Sequence, residues 1–79
     1  MAKFPRDAPK AKVVKAFESL GFRLIRDREH MAFVRDNADG TRTPMTLPNH
    51  PRIKGSTLRA ACSQAGIRRD DFLNAFQRA

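Results

Sequence analysis

The sequence predicts an α+β fold: a helix, three antiparallel strands, a second helix and a short C-terminal helix. Three observations carry that prediction. Apolar residues recur at three- and four-residue spacing in two stretches, 10–20 and 57–65. Between them lie three runs suited to strands, 22–26, 31–35 and 41–47, separated by short polar turns. Gly21 and Gly66 stop the two helical patterns. Consecutive antiparallel strands beside helices imply one covered sheet face and one free face.

In the first helix Val13, Ala16, Phe17 and Leu20 form one apolar stripe, the pattern of an amphipathic helix. Gly21 supplies a left-handed stop, and Phe22 is placed to fold back on the helix end. Lys10, Lys12 and Lys15 fall on the remaining circumference and read as a solvated face. Residues 1–9, with two prolines and mixed charges, read as a flexible tail, leaving 10–79 as one domain.

The first strand alternates Phe22, Leu24 and Arg26 on one side with Arg23 and Ile25 on the other. Asp27-Arg28-Glu29 makes a short turn into Met31-Ala32-Phe33-Val34-Arg35, a run suited to a half-buried strand. Asn37-Ala38-Asp39-Gly40 is a second turn, since Asn and Gly tolerate positive φ. In the third strand Pro44 cannot donate to a ladder, which places that strand at an edge or a bulge. Residues 48–55 read as a loop set by Pro48 and Pro51. Ser56 or Thr57 then caps the second helix, with Leu58, Ala61, Cys62 and Ala65 inward. Asp70 and Asp71 suit the first turn of the last helix, whose buried side is Phe72, Leu73 and Phe76.

The 79 residues carry sixteen Lys and Arg against eight Asp and Glu, a formal charge of +8. Such an excess points to a polyanionic partner: RNA, DNA or an acidic protein. A lone cysteine excludes an internal disulfide and a cysteine-rich zinc site, and fits a reduced, cytoplasmic setting. No apolar run approaches a membrane span, and the N-terminus has no secretory pattern. Cys62 itself reads as a small core residue. Every aromatic is Phe, and those beyond the tail fall on predicted buried faces, which argues against a stacking platform for single strands.

Two histidines stand out against this background. His30 lies between two strands in a basic stretch, and His50 lies in the proline-bounded loop. Imidazole can take or give a proton at cellular pH.

The order of elements is also that of a double-stranded RNA-binding domain. A more specific resemblance runs from Lys12-Val13-Val14-Lys15-Ala16-Phe17-Glu18-Ser19-Leu20-Gly21-Phe22 through Asp39-Gly40 and Thr46-Leu47-Pro48-Asn49-His50. It continues through Lys54-Gly55-Ser56-Thr57-Leu58-Arg59 and Gln64-Ala65-Gly66-Ile67 to Asp70-Asp71-Phe72-Leu73. In that order these segments resemble the HicA-type mRNA interferase toxins over about residues 10–76. In that family a Gly-Ser-His-His stretch precedes an apolar residue and an aromatic. Aligning its aromatic on Phe33 puts His30 on the first histidine, with Arg28-Glu29 in place of Gly-Ser and Met31 in place of the second histidine.

The resemblance implies a toxin that cleaves mRNA without a metal or other cofactor and is silenced by a HicB-type antitoxin. The single catalytic residue it implies is His30, as the proton-transfer group. Arg28, Arg35, Arg42 and Lys54 are candidate cations for the scissile phosphate, with His50 a candidate RNA contact. Lys54-Gly55-Ser56-Thr57 at a helix start offers free N–H groups and charge to a second phosphate, with Ser56 and Thr57 as ligands. Arg68-Arg69 reads as a solvated pair. Two rival readings stand beside the nuclease: an RNA-binding module on the same frame without cleavage, and a degenerate member that only binds its antitoxin.

Overall fold

A computed structural model describes residues 3–79. Met1 and Ala2, the start of the expected tail, lie outside the described residues. The elements run β1 (Asp7–Pro9), α1 (Lys10–Ser19), β2 (Arg23–Asp27), β3 (His30–Asp36), β4 (Arg42–Pro48), β5 (Arg52–Lys54), α2 (Gly55–Ala65) and α3 (Arg69–Arg78). The predicted helix, three-stranded antiparallel sheet and two helices are all present. The central sheet has the order β2-β3-β4, and β4, which holds Pro44, is an edge strand as its proline requires.

Helix α1 buries Val13, Ala16 and Phe17. Phe17 is the hub of the aromatic core, with ring centroids 6.1 Å from Phe22, 6.3 Å from Phe33 and 5.0 Å from Phe72. The helix ends as its glycine dictates: Gly21 has φ +96 and the Phe22 amide donates back to the Phe17 carbonyl at 3.0 Å. Met31 and Phe33 on β3, paired with Leu47 and Met45 on β4, complete the covered face of the sheet.

Cross-strand partners share a face, so the register assigns the opposite side. It carries Arg23, Arg26, His30, Ala32, Val34, Asp36, Arg42, Pro44, Thr46 and Pro48. The predicted alternation of β2 is corrected here. A bulge at Ile25 lies between the pairs Leu24–Phe33 and Arg26–Ala32. The extra residue reverses the parity of the strand, so Arg26 leaves the side of Leu24 and joins the open face.

Two further expectations change. Residues 7–9, read as tail, form β1, and residues 52–54, read as loop, form β5. The two strands pair antiparallel through Asp7–Lys54, Ala8–Ile53 and Pro9–Arg52, with Ala8 and Ile53 fully buried. Arg52 closes this ribbon with a 2.9 Å ion pair to Asp7, and its guanidinium holds the Asp7 carboxyl below the usual range.

Neither Ser56 nor Thr57 caps α2. That helix begins at Gly55, whose amide donates to the Arg6 carbonyl at 2.7 Å. The N-terminal segment thus does the work expected of a hydroxyl. A Cβ at residue 55 would collide with the Pro5 carbonyl oxygen, so the contact requires glycine.

Candidate functional site

His30 is the first residue of β3, one position before the buried Met31. With a side-chain period of two, an inward Met31 forces His30 onto the open face, opposite Pro48. The imidazole is exposed and shares a shallow depression with Arg26, Arg28 and Glu29. Arg26 reaches this neighbourhood because of the Ile25 bulge, since its partner Ala32 lies two residues from His30 on the same face. Among the described residues, neither His30 nor Arg26 nor Arg28 has a side-chain hydrogen bond or ion pair, so both guanidinium groups stay available to an anion.

The two-residue turn Arg28-Glu29 stands where the resemblance would put Gly-Ser. It needs no glycine, because no non-glycine residue in the described chain has a positive φ. What shapes it instead is Asn49. The Asn49 amide group donates to the Asp27 carboxylate and to the Arg28 carbonyl, each at 2.7 Å, and its backbone N–H donates to the Glu29 carbonyl at 3.1 Å. On its other side, the Asn49 carbonyl oxygen accepts from Lys10 Nζ at 2.7 Å. Lys10 is therefore a structural tie, half-buried, where the sequence suggested a solvated lysine. One side chain links the His30 turn, the loop after β4 and the start of α1.

His50 is the next residue along, exposed, with no hydrogen bond among the described residues. Its position beside Asn49 places it on the loop that clamps the His30 turn.

The remaining predicted contacts are not brought to His30. Arg35 lies five residues along β3, about 17 Å at strand rise. It donates to Asn37 at 3.1 Å and lies over the Phe22 ring at 4.9 Å. Arg42 pairs with Asp36, about 20 Å from His30 on the same measure, and bridges the Asp36 carboxylate at 3.0 Å. Lys54, Ser56 and Thr57 lie at the β5–α2 junction. There Ser56 shares a separate cleft with Lys3, Arg6, Arg59 and Arg69, and the Gly55 amide offered to a phosphate is already taken by Arg6.

Sequence reasoning missed Arg26 and Asn49. The first needed the bulge. The second is bonded to residues 21, 22 and 39 positions away, which no local pattern encodes. Burial pushes the Cys62 thiol up to about 11, so at neutral pH it stays protonated and is no nucleophile. Among the described residues no group of three or more His, Cys, Asp or Glu is placed to hold a metal ion.

Residues 11–67, more than half of the chain, match the family model described as the HicA toxin of bacterial toxin-antitoxin systems. The chain belongs to the HicA toxin family. None of the curated proteins and none of the solved structures matches it significantly. The HicA match takes in His30, Asn49 and His50 and leaves out β1 and α3. Both excluded elements complete the core: Ala8 and Phe72 are fully buried. No described helix is long and apolar enough to cross a membrane.

Proposed function

We propose that this HicA-family toxin is an mRNA endoribonuclease that acts without a metal, in which His30 transfers the proton and Arg26 and Arg28 receive the phosphate. The observation that carries the reading is the exposed imidazole in one depression with Glu29 and two guanidinium groups that have no side-chain partner among the described residues. RNA supplies its own nucleophile. His30 removes the 2′-hydroxyl proton, the 2′-oxygen bonds to phosphorus, and the P–O5′ bond breaks. The departing 5′-oxygen takes a proton from water, and a 2′,3′-cyclic phosphate remains. Charge building on the phosphorane oxygens is met by the arginines.

A positioned acid or base contributes about 10²–10⁴ in rate. His30 has no orienting hydrogen-bond partner, so the enzyme is expected to be slow. His50, on the clamping loop, is assigned to holding RNA. A HicB-type antitoxin, acidic to match the toxin's +8 charge, is the expected silencer, and the cytoplasm, where mRNA lies, the expected site of action.

The test is cleavage of a defined transcript in the presence of a chelator, with His30→Ala beside the native chain. Loss of at least about 100-fold in the variant, with an unchanged melting temperature, is expected. Equal cleavage by both proteins, or cleavage abolished by the chelator, overturns the assignment. Binding of RNA without any cleavage by the native chain would favour the non-catalytic module.

A further inference from the structure

Among the described residues, the two large hydrophobic residues that remain exposed are neighbours: Leu24 at 36% and Ile25 at 58%. Both lie on β2, an outer strand whose five residues are all exposed and whose free side meets no other strand. Single exposed apolar residues are ordinary, but an adjacent aliphatic pair raised on a bulge and framed by charge is the anatomy of an interface centre. The frame is cationic. Arg23 and Arg26 flank the pair in sequence, and Arg28 follows in the turn. Of the acids nearby, Asp27 accepts from Asn49 and Asp36 is shared between Arg23 and Arg42, while the Glu29 carboxylate stands beside Arg28.

We propose that β2 is the surface on which the antitoxin docks, through an apolar centre set against Leu24 and Ile25 along the outer edge of the strand with carboxylates facing Arg26 and Arg28. Three physical points select this occupant. A second copy of the chain would bring like-charged arginines together on a protein that already carries +8. Aliphatic Leu24 and Ile25 give RNA bases no aromatic face to stack on. An acidic partner gains from both the apolar pair and the charged rim. The bulge bends the edge and disfavours indiscriminate strand pairing, so side chains and not backbone carry the contact. Arg26 and Arg28 also line the His30 depression, so a partner seated on β2 takes the cations from that depression as well. The inference rests on membership in a toxin–antitoxin family and not on the nuclease reading, and its test uses no RNA cleavage.

A HicB-type antitoxin, the partner that the family implies, is purified and titrated calorimetrically into the native chain, Ile25→Asp, Ile25→Ser and the exposed α3 variant Gln77→Asp. The Ile25→Asp chain is expected to bind at least about 30-fold more weakly, the loss typical of a central contact residue. Ile25→Ser falls between, and Gln77→Asp stays within about twofold of native. Because Ile25 is more than half exposed, melting temperatures should be unchanged; the Ser variant carries the comparison if the Asp variant melts early. Native affinity in both Ile25 variants, or no binding by the native chain, overturns the proposal. So does a variant that loses self-association or RNA affinity while keeping its hold on the antitoxin, which would hand the patch to a second copy or to RNA.

Discussion

The two turns of the central sheet are held in opposite ways. At the β3–β4 end the turn is self-sufficient. Asn37 donates to the Thr41 and Thr43 hydroxyls at 3.1 and 2.9 Å, the Asp39 carboxylate accepts from the Thr41 hydroxyl and amide at 2.6 and 3.0 Å, and Gly40 supplies φ +87. Every arginine near it is engaged, Arg35 by Asn37 and Phe22, Arg23 and Arg42 by Asp36. At the β2–β3 end the turn has one weak internal bond, the 3.4 Å contact from the Arg28 amide to the His30 carbonyl, and is fixed from outside by Asn49. Its arginines are left without partners. A guanidinium committed to a carboxylate stabilises its own fold; one that is not can serve an arriving anion. The contrast supports the proposed site more sharply than charge alone, because both ends are basic.

The largest effect should come from the arginines. Arg26→Ala with Arg28→Ala is expected to lower catalytic efficiency on RNA by about 100-fold, within the range of lost electrostatic donors, with little change in melting. Arg42→Ala should leave efficiency within about twofold. Equal losses at the two ends would break the comparison.

The next is Asn49→Ala, which removes the clamp and leaves the Lys10 ammonium and the Arg28 carbonyl without it. A stability loss of about 1–3 kcal/mol is expected in urea melts, together with a rise in amide exchange at Glu29 and His30. Asn37→Ala should cost comparable stability and spare RNA cleavage. If exchange at Glu29 and His30 is unmoved in Asn49→Ala, the turn holds itself and the asymmetry described here is false.

Asp36→Asn tests the engaged end more gently. Its bridges to Arg23 and Arg42 are exposed, so a change below about 1 kcal/mol is expected. The smallest effect is in acid. Donation from Thr41 holds the Asp39 carboxyl below its ordinary 3.8. A depressed folded value stabilises above 3.8 and ceases to do so as pH falls through the lowered value. Asp39→Asn should therefore be slightly less stable than the native chain near neutrality and equal to it at the acid end of a melting series. A constant gap across that series would remove the carboxylate from the account of this turn.

Much of the architecture is legible in the sequence because it is local. The Val13-Ala16-Phe17 stripe, the Gly21 stop and the Asp39-Gly40 turn each depend on neighbours within a few residues. The misses are matters of distance. Strands β1 and β5 have three residues each, too few to show a period, and they exist because Ala8 and Ile53 meet in the core. The Ser56 or Thr57 cap failed because a carbonyl from residue 6 arrives first. At the candidate site, His30 was readable as a histidine at a strand entrance. Arg35 and Arg42 were drawn in by charge alone, and composition does not say which end of a sheet a cation occupies.

The extra residue at Ile25 has a consequence for how this surface can change. Removing that one codon would join Leu24 directly to Arg26 in the regular pairing Leu24–Phe33 and Arg26–Ala32, so Arg26 would stay on the open face and the strand would lose only its bend and the exposed Ile25. Chain length at that point sets the curvature and the apolar edge of the strand, while the facing of Arg23 and Arg26 survives its loss. A one-residue loss at the bulge should therefore be tolerated by the sheet, while an added or lost residue elsewhere in the strand would turn its neighbours over.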